Sequence, residues 1–430
     1  MACGFRYCHL FHQSNKETRV NKNILLLVVV LALSGCTGSL ETDSSPVRLV
    51  VSINPNATGS VDNIACNGQN LAIPKSPALV VLDTNRFLSN SSNPCGTITS
   101  LTGAAFQTIN GLEVTGFPSV FVSIPTQSTV KQFTFQNNAT PLKERNNFIP
   151  AITNGYCPSQ LVTGLRTSNE LQKLGILDNP YNDINTNCVS SSSKKPRVLV
   201  FNVPTIADPP TAPILLAEID LSALNFIDTN NNPISIAIFN NFLYVLGTFT
   251  GQYRVRRYDL TAAKPSESFI TTDFFTVTAT NAKLTVVQNR ILMSFSDNFT
   301  GKVLPLIEDP GVIPNTIRFG DELRAGSTAS DPVIGKTTAI RSASPSSSGF
   351  TLYLRPDNVL FQQSSQFASS NLTTGIDATF PPDNSIWVLN SNFLFKADTR
   401  DFPTQKPRFD AGIDFTGLNP GNVVWVFDEN

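Results

Sequence analysis

Two histidines, His9 and His12, are the only ones in this 430-residue chain, and both stand close to its start. Imidazole is the usual general base and a common metal ligand near neutral pH. Both residues precede an apolar run that has the form of a removable leader, and a chain processed after that run contains no histidine. That excludes a Ser-His-Asp triad, a Cys-His dyad, a His-ligated zinc and any His-dependent oxidoreductase centre. The remaining chemistry rests on carboxylates. Glu308-Asp309 and Asp321-Glu322 are each adjacent in sequence, and neighbours on a strand point to opposite faces. A glycosidase-type pair instead needs two carboxyl groups converging across about 5–10 Å. Beside Pro310 and Gly320 they read as solvated loop charges.

Two further stretches carry polar groups at suggestive spacing. Asp228-Thr229-Asn230-Asn231-Asn232-Pro233 offers oxygens at alternate positions, like the opening of a calcium loop. It lacks the glycine at position six and the closing glutamate of such a loop, so an Asn-rich hairpin turn is the better reading. Tyr253-Arg254-Val255-Arg256-Arg257-Tyr258 alternates as a strand does, sending Arg254 and Arg256 to one face and Arg257 to the other. It reads as an edge strand protected by charge, with an anion or carbohydrate contact as the alternative. No catalytic, cofactor-binding or metal-ligating set is assigned, and no cofactor is expected.

Cysteine is informative. Residues 24–33 are apolar, Asn21-Lys22-Asn23 precede them, and Ser34-Gly35 stand before Cys36. A basic flank, a short apolar core and small residues at the cut form a secretory signal. About ten residues at roughly 1.5 Å each reach half of a hydrocarbon core of about 30 Å, so a transmembrane helix is disfavoured. Leu33-Ser34-Gly35-Cys36 matches every position of, and so resembles, the lipobox of bacterial lipoproteins. The resemblance implies cleavage before Cys36 and acylation of its sulfur, and two or three acyl chains suffice for stable anchoring. Residues 1–35 are then the signal peptide. Residues 1–19 fit neither signal nor domain, and a signal starting at Val20 from an alternative start codon would be complete. Beyond Cys36 stand Cys66, Cys95, Cys157 and Cys188. An even set in an exported chain predicts two disulfides, with three connectivities open; a metal site lacks Cys-x-x-Cys spacing.

Composition supports an uncharged, strand-rich body. Charged residues are 15% of the chain against 41% hydrophobic, and Phe, at 30, far outnumbers 7 Tyr and 2 Trp. Phe favours strands and buries without a polar tip to satisfy. Lys and Arg total 31 against 32 Asp and Glu, without basic clusters, which argues against nucleic acid as a partner because phosphate neutralisation supplies most of that affinity.

The elements that would position any site are short apolar strands separated by turn residues. Residues 36–46 form the lipidated cysteine and a Ser/Thr/Asp tether, spanning roughly 18 Å on average and about 35 Å when extended. From residue 47 to 430, hairpins begin near Leu79, Val120, Leu199, Leu243, Ile291, Leu352 and Trp387. Most of the intervals lie near the 40–50 residues of a four-stranded blade. The expected fold is all-β: a β-propeller, seven-bladed, with tandem β-sandwiches as the alternative. The long interval before Leu199 is read as a disulfide-pinned insertion around 140–195, with a helix over 167–174 where Thr167 and Glu170 have capping-box spacing. A shorter helix is expected over 320–324. Residues 47–51 and 423–427 are expected to close the ring. Neither Trp is followed by Asp, so the WD repeat is absent. Residues 294–301 resemble the Asp-box of sialidases without its spacing or its Trp.

These readings converge on a cell-envelope lipoprotein, anchored to a membrane through Cys36 and placed in the outer membrane or at the cell surface. Thr37 supports that placement, because it stands where Asp would signal inner-membrane retention. Its propeller is expected to be a non-catalytic platform for an envelope protein or surface polysaccharide. The alternative is a carboxylate-dependent hydrolase or lyase acting on extracellular polysaccharide. Four Asn-x-Thr acceptors, at Asn56, Asn138, Asn298 and Asn371, would matter in a secreted glycoprotein, but such matches arise by chance in a chain this rich in Ser, Thr and Asn.

Overall fold

The computed structural model describes the strands between Val47–Ile53 and Pro420–Phe427, together with residues 157, 164, 179, 195–196, 213, 221–222, 240–241, 260–265, 320, 392 and 415. The expected signal, lipobox and tether, residues 1–46, lie outside the described residues.

Nearly continuous apolar runs make strands bury both faces at once, and the described strands form seven antiparallel sheets. Sheet 1 joins Pro420–Phe427, Val47–Ile53, Ala78–Asp83 and Gly96–Ser100. Sheet 2 runs Gly111–Thr115, Ser119–Ile124, Thr129–Gln136, Thr140–Arg145, and sheet 3 runs Pro158–Thr163, Gln172–Asp178, Arg197–Val203, Ile214–Asp220. Sheet 4 holds Pro233–Phe239, Phe242–Phe249, Gln252–Asp259 and Phe269–Thr271, with Phe275–Thr276 also on the third strand. Sheet 5 contains Ala279–Val287, Arg290–Asp297, Thr300–Glu308 and Ile317–Phe319; sheet 6 contains Lys336–Thr337, Leu352–Leu354, Leu360–Gln362 and Ser365–Phe367. Sheet 7 contains Gly375–Thr379, Ser385–Asn390, Phe393–Asp398 and Ile413–Asp414, extended by the hairpin Asn63–Cys66 and Gln69–Ala72. Each of the seven hairpins read from the sequence falls in a different sheet.

The core is a series of seams between consecutive sheets. On Arg197–Val203, Leu199, Phe201 and Val203 pack with Phe121 and Val130 of sheet 2. The alternate residues Val198 and Val200 pack with Ile236, Leu243 and Val245 of sheet 4. Sheet 4 turns Tyr244, Leu246 and Val255 to Met293 and Phe295 of sheet 5. Leu49, Val51 and Val80 of sheet 1 pack with Trp387, Leu389 and Phe415 of sheet 7. A strand covered on both faces reads as a nearly continuous apolar run, as here. Sandwiches would pair sheets two by two, whereas sheets 3 and 4 each pack on both neighbours. The first strands of successive sheets also lie side by side, from Gly375–Thr379 through Pro420–Phe427, Gly111–Thr115, Pro158–Thr163 and Pro233–Phe239 to Ala279–Val287. The chain is a β-propeller.

Closure follows the expected strands. Leu49 stands opposite Trp425, Val50 opposite Val424 and Val51 opposite Val423, so the first and last described strands share one sheet, with Pro420–Phe427 as its inner strand.

Four expectations change. The helix over 167–174 is contradicted where it is described, because Gln172, Lys173 and Leu174 belong to the strand Gln172–Asp178. Leu174 and Ile176 pack toward sheet 2 and Leu177 toward sheet 4, and burial on both faces overrides a local helical signal. Gly320 is not helical, and 321–324 lie outside the described residues. The long interval before Leu199 holds regular strands: Thr140–Arg145 completes sheet 2, while Pro158–Thr163 and Gln172–Asp178 open sheet 3. Finally, Gln252–Asp259 is an interior third strand with Tyr253, Val255 and Tyr258 buried, and not a charged edge.

Candidate functional site

The inner strand of each sheet has one edge with no ladder partner, so its N–H and C=O groups need other partners. Buried polar side chains from the preceding sheet supply them. Ser123 of sheet 2 donates its hydroxyl to the Pro158 carbonyl at 2.7 Å. Gln160 of sheet 3 accepts the Ile236 N–H at 2.8 Å and donates to the Ile236 carbonyl at 3.4 Å. Asn179 donates to the Pro233 carbonyl at 2.6 Å. Ser235 of sheet 4 accepts the Leu284 N–H at 3.0 Å, and Asp377 of sheet 7 accepts the Val423 N–H at 3.1 Å. Each runs from one sheet to the first strand of the next. Within sheet 1, Ser52 accepts the Asn422 N–H at 2.8 Å where the register of the closing pair shifts between Val51 and Ile53.

Among the described residues, a charged cluster flanks Cys157, which is buried and disulfide-bonded. Asp178 accepts the Cys157 N–H at 2.6 Å and the Arg197 Nε–H at 2.8 Å. Asn179 donates its N–H to the Cys157 carbonyl at 3.1 Å, so both main-chain groups of the cysteine are held. Arg197 also reaches Glu218 Oε1 at 2.7 Å. Burial works against the guanidinium charge, but the Asp178 and Glu218 carboxylates outweigh it and hold Arg197 above its ordinary range. The cluster fixes the Cys157 main chain at the start of the inner strand of sheet 3.

Along the third strand of sheet 4, burial lowers Arg254 and Arg256, the latter also through its neighbour Arg254. Burial raises the Tyr253 and Tyr258 phenols. Arg257, on the opposite face, lies over the Phe242 ring at 4.3 Å. The three arginines therefore do not converge, and Tyr258 sits in the seam with sheet 3.

The other residues singled out by sequence are placed as follows. Cys36, Cys95 and Cys188 lie outside the described residues, and Cys66 ends the strand Asn63–Cys66 that extends sheet 7. Glu308 ends a strand of sheet 5, while Asp309, Asp321, Glu322 and 228–232 lie outside the described residues. The Asp-box-like stretch straddles the ends of Arg290–Asp297 and Thr300–Glu308, which pair with each other. Among the described residues, no three His, Cys, Asp or Glu side chains gather as a metal cluster. Sequence reasoning missed the buried carboxylates Asp178 and Asp377; each ends or interrupts an apolar strand, a signal that was legible.

No family model matches the chain, and no curated protein matches it. Its fold is similar to the crystal structure of a proposed 6-phosphogluconolactonase from Bacteroides fragilis, with a TM-score of 0.52, 10% identity and coverage of 90% of this chain and 100% of that chain. The Dos1 propeller is also similar, with a TM-score of 0.44, 14% identity and coverage of 72% and 70%. So is Sqt1 of Chaetomium thermophilum, with a TM-score of 0.44, 12% identity and coverage of 86% and 83%.

Proposed function

We propose that this chain is a lipid-anchored cell-envelope protein whose propeller, with one blade for each described sheet, is a non-catalytic binding or scaffold platform. The observation that carries the anchor is the match of Leu33-Ser34-Gly35-Cys36, after a short apolar run, to the lipobox. A platform role is supported by the use of the buried carboxylates: Asp178 is engaged by Cys157 and Arg197, and Asp377 by Asn422 and Val423. Such groups position backbone and leave little for acid–base chemistry. The 10% identity to the lactonase-like neighbour carries its fold and not its activity. The partner is an envelope protein or a surface polysaccharide, and the location is the outer membrane or the cell surface.

The test is the intact mass of the protein purified from native membranes, with and without reduction, beside Cys36→Ala. A mass beginning at Cys36 with added acyl chains, absent in the variant, is the expected result. Reduction should add about 4 Da, two hydrogens for each of two disulfides. An unmodified N-terminus overturns the anchored reading.

A further inference from the structure

Outer edges of the described sheets are mostly short. Phe269–Thr271, Ile317–Phe319 and Ser365–Phe367 span three residues each. Sheet 3 differs, ending in the seven-residue Ile214–Asp220, against which no described strand pairs on its outer side. Long exposed edges invite another strand, and proteins usually shorten, charge or cover them. This edge opens instead with Ile214, Leu215 and Leu216, exposed by 62%, 47% and 37%. The register shifts there, Ala217 facing Val200 and Leu215 facing Phe201, so Leu216 is the extra residue of a bulge. The bulge explains why three successive aliphatic side chains are exposed where a regular strand would bury alternate ones. Farther along, Ala217 and Ile219 are buried in the seam with sheet 4, while Glu218 and Asp220 are exposed. Both carboxylates are held in place, Glu218 by Arg197 and Asp220 by the Ser222 N–H at 2.8 Å. The edge is thus apolar at its start and acidic at its end. Elsewhere the chain fills such an edge itself: the hairpin Asn63–Cys66 and Gln69–Ala72 joins sheet 7 through Ala65 opposite Asp414.

We infer that the outer edge Ile214–Asp220 receives an extended segment of a partner polypeptide as a fifth strand, apolar against Ile214–Leu216 and basic against Glu218 and Asp220. Main-chain hydrogen bonds supply affinity, and the charge pattern sets strand direction. A second copy of this strand fits poorly. Antiparallel pairing lays the apolar trio on the acidic end, and parallel pairing stacks like charges. An anionic bilayer is disfavoured by the same carboxylates. This inference rests on the platform reading and names its surface and its partner class.

The test uses the full chain and three capped nine-residue peptides: alternating Val and Thr ending in three Lys, the same ending in three Glu, and the Lys peptide with Pro at alternate positions. Fluorescence anisotropy measures binding, and amide hydrogen exchange reports on 214–220. The Lys peptide should bind and slow exchange across 214–220. The Pro peptide, lacking the N–H groups of a ladder, should do neither. Glu218→Lys should weaken the Lys peptide about fivefold and favour the Glu peptide. The double change Ile214→Lys with Leu215→Lys should also weaken binding while keeping the parent's unfolding midpoint, because both positions are exposed; Glu218→Lys, which also removes the Arg197 pair, should lower that midpoint slightly. The inference is overturned if no peptide slows exchange at 214–220, if the Pro peptide binds equally, or if only phosphatidylglycerol vesicles protect the strand. An acylated Cys36 with no peptide effect overturns this inference alone. An unacylated N-terminus with a positive peptide result overturns only the anchor.

Discussion

The side-chain amide of Gln160 engages both main-chain groups of Ile236, accepting its N–H at 2.8 Å and donating to its carbonyl at 3.4 Å. A carboxamide carries a donor and an acceptor as a backbone residue does, so Gln160 stands in for the strand that the inner edge of sheet 4 lacks. Seventy-six residues separate the pair in sequence.

Gln160→Leu keeps the approximate volume but leaves the Ile236 N–H and C=O without these partners. The expected cost is about 1–3 kcal/mol, the penalty for a buried polar group that loses its bond. Chemical denaturation should show a lower midpoint with an unchanged slope; an unchanged midpoint would mean that water replaces the amide without loss.

Gly175 allows sheets 3 and 4 to approach. A Cβ there would lie 2.9 Å from Ile238 Cδ1 and 3.0 Å from Val162 Cγ2. Gly175→Ala is expected to destabilise by about 1–3 kcal/mol through overpacking. Ile238→Val removes the nearer methyl, so the double variant should be more stable than the sum of the two single changes predicts.

Removing one partner of the Asp178–Arg197 pair should be costly because Asp178 is only 3% exposed. Arg197→Met is expected to cost about 3 kcal/mol or more, since it leaves a buried carboxylate. Glu218→Gln, at the exposed end of the same network, should cost less than about 1 kcal/mol. Thermal unfolding of the two variants side by side tests this ordering.

Asp259 accepts hydrogen bonds from the Thr261 hydroxyl at 2.6 Å and the Thr261 N–H at 2.8 Å, which hold its carboxyl below the ordinary value of 3.8. A carboxyl with a depressed folded-state pKa adds stability above its unfolded value, and that stability is lost as the pH falls through the folded value. Thr261→Ala should raise the Asp259 midpoint toward 3.8 and narrow the acid window over which this contribution is lost. Titration of the carboxyl carbon by NMR measures both.

Tyr253 and Tyr258 are pushed above the ordinary phenol value of 10.0 by burial. Above that value the unfolded chain binds fewer protons than the folded one, so stability should fall as the pH rises past about 10. Tyr258→Phe should flatten that alkaline loss, as read from denaturation midpoints across the range.

The sequence by itself determined what depends on local pattern. Short apolar stretches bounded by turn residues near Leu79, Val120, Leu199, Leu243, Ile291, Leu352 and Trp387 placed a strand in each sheet, because stretch length and flanking turn chemistry are written along the chain. The valine-rich ends were recognisable as closing strands for the same reason. Tertiary structure decided what depends on neighbours distant in sequence. Leu174 is extended because sheets 2 and 4 cover both its strand's faces, although Thr167 and Glu170 carry a helical signal. Gln252–Asp259 is interior because Phe269–Thr271 pairs beside it. The hairpin Asn63–Cys66 and Gln69–Ala72 crosses to sheet 7, and Gln160 meets Ile236. These contacts follow from packing one sheet onto the next, and no spacing within a single strand encodes which backbone group will be left facing a neighbour.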